Sequence, residues 1–407
     1  MLGVEPATRQ RTSSRRIGLA LAGGGPLGSF YQLGALHALA ECIDGLELGR
    51  LHGYVGVSSG AIISACLANG LSTNDLIRSF FMDGENDYPL VPAELMRPAF
   101  AEYARRLASI PRLLGDIALE CAHDPLRQSL IGAFKPLLDV LPTGLFDNSA
   151  FERFMRRVLT SEGRTNDFRK LPCLLRIIAT DLNEGTEARF GEPGLDHVPI
   201  SQAIRASTAL PGLYTPVVID GRTYVDGALL RTMHASLVLE SGADLVISVN
   251  PLVTLDATRL RRGRTADLAT HGFAAVMNQT FRALIQSRME VGMAQYHGLY
   301  PFSDRLLLQP DRGDETMFFV NVFRYHDRSR LAEHAYQTTR RDLRAQATRL
   351  TRLLARHGLK LNNAHLNDRR RRLLTSATRE VREQREVFGR LDRTLTELST
   401  LLRRAQA

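Results

Sequence analysis

Gly56-Val57-Ser58-Ser59-Gly60 sets a serine hydroxyl between two glycines. A serine attacks an ester only when a neighbouring base takes its proton and a sharp turn exposes its oxygen. Such a turn, from strand into helix, needs small residues two positions either side of the nucleophile. Ser58 has Gly56 and Gly60 there; Ser59 does not. Asp226-Gly227-Ala228 follows the run TYV and places a carboxylate at a strand end, either beside a neighbouring loop or simply capping a turn. Gly23-Gly24-Gly25-Pro26-Leu27-Gly28 joins an apolar run to a helical pattern. Backbone amides in such a loop approach a ligand closely, and the helix N-terminus adds positive potential. A P-loop would end in Lys-Ser or Lys-Thr, whereas Ser29-Phe30 follow here. A dinucleotide fingerprint would use Glu41 or Asp44 only loosely as its acidic residue. The remaining reading is an oxyanion hole formed by Gly23, Gly24, Gly25 and Gly28.

The elements that must position these groups are legible from residue 17 onward. IGLALA (17–22), GYVGV (53–57), LLRIIATD (174–181) and ADLVISVN (243–250) are continuous apolar runs of strand length. Between them SFYQLGALHALAE (29–41), SGAIISACLAN (59–69) and ISQAIRASTAL (200–210) read as helices. VVIDGRTYVDG (217–227) reads as a hairpin turning at Asp220-Gly221. Apolar strands alternating with helices imply a mostly parallel sheet covered on both faces.

Two regions break this rhythm. Residues 71–147 read as a helical insertion or lid. In it Phe100, Tyr103, Leu107, Ile110, Leu114 and Ile117 form a helical stripe flanked by Arg105, Arg106 and Arg112. The stripe suits a core-packing helix or one that contacts a membrane. Residues 256–407 read as a mainly helical extension, with LYPFSDRLLLQP (299–310) able to return a strand to the first domain. Leu374, Ala377, Val381, Gln384, Phe388, Leu391, Leu395, Leu398 and Leu402 keep a heptad spacing that suits a coiled coil or homo-oligomer. Residues 1–16 read as a disordered basic arm rather than a secretory leader.

Composition narrows the function. The net charge is +9, yet residues 328–407 alone hold 20 Lys and Arg against 8 Asp and Glu. A basic tail suits an anionic membrane or nucleic acid, or is simply a solvated helical surface. The chain has no Trp, and residues 337–387 contain no aromatic residue, which argues against a base-stacking platform. Cys42, Cys66, Cys121 and Cys173 show no CxxC spacing, so neither a zinc site nor a disulfide framework is expected. That usage fits a reducing, cytoplasmic setting, peripheral to the membrane. No apolar stretch is long enough to span a bilayer.

The three motifs in this order resemble the patatin-like phospholipases. ATDLNEGTEARF (179–190) and AIRASTALPGLYTPVVIDGRTYVDGA (203–228) are similar to that family's connecting sequence. The resemblance covers residues 17–252. It implies an α/β fold of three layers, α/β/α, with a mostly parallel central sheet, followed here by the C-terminal helical extension. It also implies Ser58 as nucleophile, Asp226 as general base and Gly24 and Gly25 in the oxyanion hole, with lipid or a membrane surface as substrate and no cofactor or metal. One departure is Leu27, where the family often has Arg or Lys; this bears on phosphate recognition more than on ester cleavage. Two competing readings stay open. One is a Ser-Asp-His esterase using His234 or His271; the other is a non-catalytic membrane interaction module.

Overall fold

The run Ile17–Leu21 has no charged or polar side chain, and it lies near the middle of the sheet. The computed structural model describes residues 1–8, 15–82, 97–100, 102–108, 110–111, 142–259, 273–319 and 325–378. Nine strands form one sheet: β1 (Leu2–Glu5), β2 (Ile17–Leu21), β3 (Gly53–Val57), β4 (Leu174–Asp181), β5 (Thr186–Phe190), β6 (Val217–Ile219), β7 (Arg222–Asp226), β8 (Leu245–Val249) and β9 (Asp304–Leu308). Their order is β1-β9-β8-β2-β3-β4-β7-β6, with β5 also paired to β4. The strands from β9 to β4 run parallel, and the antiparallel pairings lie at the margins.

Alternation of side chains along each strand builds a core on both faces. Leu19, Leu21, Tyr54, Leu175, Ile177, Leu245 and Ile247 belong to the larger core. It is covered by α1 (Gly25–Cys42), α2 (Ser59–Ala68), α3 (Thr73–Phe81), α4 (Ser149–Leu159) and α5 (Ile200–Ser207). Ala20, Ala22, Val55, Val57, Ile178 and Val246 face the other way. There they meet α6 (Ala235–Glu240) and α7 (Phe273–Leu299) through Leu237, Val238, Met289 and Tyr296. The molecule is therefore a three-layer α/β/α fold, as the sequence implies.

The extension is not a separate unit. α1 is apolar around its circumference, so its outer side also needs cover. α8 (Tyr325–Ala345) supplies it with Leu331, Ala332, Ala335 and Tyr336, all fully buried. Gly34 permits that approach, because a Cβ there would lie 2.1 Å from the Ala332 carbonyl oxygen. α9 (Ala347–Arg356) adds Leu350, Leu353 and Leu354 to the same core. The division at residue 255 is thus corrected: β9 completes the first domain's sheet and α8 its helical layer.

The arm at 1–16 is corrected as well. Residues 2–5 pair antiparallel with β9 and close its open edge. Asp304, at the start of β9, accepts hydrogen bonds from the Ala7 amide at 2.6 Å and from Arg356 Nη2 at 2.7 Å. His357 Nε2 lies 2.7 Å from its second oxygen. Asp304→Ala strands these groups in a buried site and is expected to cost about 3–5 kcal/mol. Urea denaturation checks this; a loss under about 1 kcal/mol would mean the contacts are incidental.

The basic tail is partly internal. Arg340 is fully buried and donates to the carbonyls of His365, Leu366 and Asp368. Within the run Arg369–Arg372, Arg371 pairs with Glu41 at 2.5 Å. The heptad positions beyond residue 378 lie outside the described residues, as do Leu114 and Ile117 of the arginine-flanked stripe. In the described part of that stripe Phe100 is 70% and Leu107 63% exposed, whereas Tyr103 and Ile110 are half-buried.

Candidate active site

β3 ends at Val57 and α2 begins at Ser59, so Ser58 occupies the turn between them. Its backbone has φ 52° and ψ −121°, a conformation that costs a non-glycine residue about 1–3 kcal/mol. The surroundings hold it there. The Ser58 amide donates to Ser207 Oγ at 2.8 Å, and its carbonyl accepts from the Ala61 amide at 2.9 Å. Gly56 and Gly60 are steric requirements of the turn. A Cβ on Gly56 would lie 2.5 Å from the Gly60 oxygen, and one on Gly60 would lie 2.4 Å from the Leu21 oxygen.

Strand register brings the acid to the serine. Val57 is the last residue of β3 and pairs with Ile178 of β4. Asp226 is the last residue of β7 and pairs with Ala179, the next residue along β4. Both β3 and β7 lie on the edge of β4 opposite β5, so their ends meet. The hairpin that delivers Asp226 turns at Asp220 (φ 51°) and Gly221 (φ 78°), the positive pair a tight two-residue turn demands.

Ser58 Oγ donates to Asp226 Oδ2 at 2.6 Å. Asp226 Oδ1 accepts from the Ala228 amide at 2.8 Å. The Asp226 backbone is fixed too: its amide donates to the Ala209 oxygen at 3.0 Å, and its carbonyl accepts from Thr180 Oγ1 at 3.1 Å. Burial pushes the Asp226 carboxyl up to about 6, against the lowering effect of the Ser58 and Ala228 hydrogen bonds. Such a carboxylate is a stronger base than an exposed one.

The glycine loop separates into two kinds of residue. The Gly23 amide donates to the Thr232 oxygen at 3.2 Å, and the Gly28 amide to the Gly24 oxygen at 3.0 Å. Gly23 and Gly28 are therefore corrected as oxyanion donors, since their amides are already committed. Their glycine character reflects close packing. A Cβ on Gly23 would lie 3.0 Å from Ala228 Cβ and 3.2 Å from Ser58 Cβ; one on Gly28 would lie 3.0 Å from Pro251 Cγ. The Gly24 and Gly25 amides precede the first helical hydrogen bond of α1, so neither has an intrahelical acceptor. Gly25 has φ +59°, and its Cβ position is open space. Leu27 packs against the core. Gly227 lets β7 close onto β4, for a Cβ there would meet the Ile178 oxygen at 2.4 Å.

The structure adds residues that the motifs do not mark. Ser207 bridges the Ser58 amide and the Ile178 oxygen. Gln32 is buried and donates to the Ala22 oxygen at 2.6 Å, bracing the strand end before the glycine loop. Gln32 stands out only as a polar residue in a mostly apolar helix, and Ser207 sits among the other polar residues of α5 with no signal of its own. His234 pairs elsewhere. Its Nε2 lies 3.1 Å from Glu187 Oε1, and burial lowers its basicity. His271 lies outside the described residues. No group of three His, Cys, Asp or Glu fit to hold a metal ion occurs among the described residues.

The family model for patatin-like phospholipases matches residues 19–239, more than half of the chain. The chain belongs to the patatin-like phospholipase family. An uncharacterized NTE family protein of Mycobacterium tuberculosis is 26% identical over 241 residues, which is 59% of this chain and 50% of that protein. An uncharacterized NTE family protein of Mycobacterium bovis is 26% identical over 246 residues, 60% of this chain and 32% of its own length. The chain thus spans half or less of these relatives. Among solved structures, human group IVD cytosolic phospholipase A2 in complex with methyl γ-linolenyl fluorophosphonate is similar at 13% identity. That likeness covers 84% of this chain and 59% of the other, with a TM-score of 0.33. VipD from Legionella pneumophila is similar at 16% identity, covering 63% of this chain and 55% of its own, with a TM-score of 0.30. Family membership supports a lipid hydrolase.

Proposed function

We propose that this family member cleaves fatty-acyl esters of lipids through a Ser58–Asp226 dyad and an acyl-enzyme. The observation that carries the reading is the 2.6 Å bond from Ser58 Oγ to a buried carboxylate. Ser58 Oγ attacks the ester carbonyl while Asp226 Oδ2 takes its proton. The carbonyl oxygen becomes an oxyanion and is held by the amides of Gly24 and Gly25 at the positive end of α1. Collapse expels the alcohol or lysolipid, which leaves with the proton from Asp226. Water then attacks the acyl-enzyme, Asp226 takes its proton, and the fatty acid departs as Ser58 recovers a hydrogen. The Ser-Asp-His alternative finds no support in Asp226, whose two oxygens accept from Ser58 and Ala228. The non-catalytic alternative is disfavoured by the intact dyad.

A lipid substrate is supported by the apolar surface beside the dyad. Phe100, Leu145 and Leu210 are 70%, 50% and 39% exposed. The Ala99 amide donates to the Leu145 oxygen, and residues 144–146 pair with residues 212–214. Leu210 caps the turn into that second strand, and its neighbour Ala209 holds the Asp226 amide. Each such side chain moved from water into lipid gains about 1.5–3 kcal/mol. No helix of the described residues is long and apolar enough to cross a membrane.

The test compares fatty-acid release from phospholipid vesicles with hydrolysis of a soluble short-chain ester. Wild type is expected to perform both. The double change Phe100→Asp with Leu145→Asp is expected to lower vesicle hydrolysis about tenfold or more and leave the soluble ester unaffected. Hydrolysis of the soluble ester with none of the vesicles would defeat the lipid reading.

A further inference from the structure

α7 lies beyond residue 239, where the family match ends. Its inward positions begin with polar residues: Gln279, Arg282 and Gln286 precede Met289 and Tyr296. Arg282 and Gln286 are buried, and a buried polar group needs a partner. Their partners lie in the loop after β8, and the exposed Arg288 of the same helix reaches a second loop.

The first loop follows β8. Gln286 Oε1 accepts from the Thr254 amide at 2.7 Å and from Thr254 Oγ1 at 3.0 Å. Gln279 donates to the Leu255 oxygen at 2.7 Å, and Arg282 to the Val253 oxygen at 3.2 Å. The second loop follows Asp226. Arg288 Nη1 donates to the oxygens of Leu229 and Leu230 at 3.3 and 3.2 Å.

Both loops press on the glycine loop. Pro251, in the first, lies where Cβ atoms on Gly24 and Gly28 would be, at 2.5 and 3.0 Å from its Cγ. Thr232, in the second, accepts the Gly23 amide at 3.2 Å. A single helix therefore fixes the walls on either side of the two amides left for an oxyanion.

We infer that α7 clamps the glycine loop and that Gln286 is a positioning residue for the Gly24 and Gly25 amides. The inference rests on the acyl-hydrolase reading above. Oxyanion donors act only when held near their productive positions, and a displacement of about 1 Å can cost 10²-fold in rate. Gln286 makes the strongest connection, because it holds Thr254 twice and is itself oriented by donating to Glu290 Oε1 at 2.8 Å.

The experiment measures kcat, KM and thermal stability of full-length variants on a soluble short-chain ester. Gln286→Leu is expected to lower kcat about tenfold with KM changed less than about twofold. Exchanging the pair, Gln286→Glu with Glu290→Gln, keeps an acceptor for Thr254 and a hydrogen bond between the two positions. It is expected to restore kcat to within about threefold of wild type. Thr254→Val removes only the hydroxyl bond and is expected to cost about two- to fivefold in kcat, which keeps the test decisive if Gln286→Leu fails to fold. Thr280→Ala, on the outward side of the same helix, is expected to change nothing. An unaltered kcat in Gln286→Leu, or an exchange that recovers stability but not kcat, overturns the clamp alone. A wild type inert toward the ester overturns the hydrolase reading and the clamp with it.

Discussion

Ser58→Ala is expected to reduce hydrolysis of a soluble ester by about 10⁴-fold or more, to the level left by binding and the oxyanion donors. The fold should survive, because the backbone bonds to Ser207 and Ala61 do not involve the hydroxyl. The change removes the donor to Asp226 Oδ2, and that carboxyl is then expected to titrate at a still higher pH. Ser59→Ala is the matched control. Ser59 Oγ is directed toward Gly28, 3.0 Å from where its Cβ would be, so activity should persist. Equal loss in both variants would place the effect in the elbow's structure rather than in its nucleophile.

Asp226→Asn is expected to lower kcat by about 10²–10⁴-fold, the range of a lost general base. It should also stabilise the protein at neutral pH. The folded carboxyl titrates at about 6 against a reference of 3.8. Between those values the folded chain retains a proton that the unfolded chain has released, so stability falls as pH rises through the window. Above it, holding the charge in the core costs roughly 3 kcal/mol. Asparagine carries no charge, keeps an acceptor for the Ala228 amide and offers a donor to Ser58. Urea midpoints should therefore favour Asp226→Asn by about 1–3 kcal/mol at pH 7, with the advantage vanishing below about pH 4. The same titration predicts that wild-type kcat/KM falls on the acid side of about pH 6. A destabilised Asp226→Asn with undiminished kcat would contradict both the burial and the role.

The elbow was legible because its constraint is steric and local: two glycines flank one serine, and backbone fills the space where their Cβ atoms would lie. The approach of Asp226 to Ser58 was not local. It follows from two strands meeting end to end on one edge of β4, which no spacing in the sequence encodes. The glycine loop was legible as a place where backbone amides could approach a ligand, but a glycine needed for its free amide looks the same as one needed for room. Gly23 and Gly28 belong to the second kind. Counting charges missed that Arg340 and Arg371 turn inward to carbonyls and to Glu41. The arm LGVE has only two apolar residues, too few for a strand signal until β9 presents an unpaired edge. α7 carries glutamine and arginine on its inner face, so the usual apolar stripe is weak there and its grip on the loops stays hidden.

The central claim is that Ser58 is a nucleophile activated by Asp226. Its most direct test is the rate and site of covalent labelling by an alkyl fluorophosphonate, read by mass spectrometry of the intact protein and its peptides. The account predicts one adduct, on Ser58, formed about 10²-fold or more slowly in Asp226→Asn. Labelling on another residue, or labelling of Ser58 at an unchanged rate in Asp226→Asn, would contradict it.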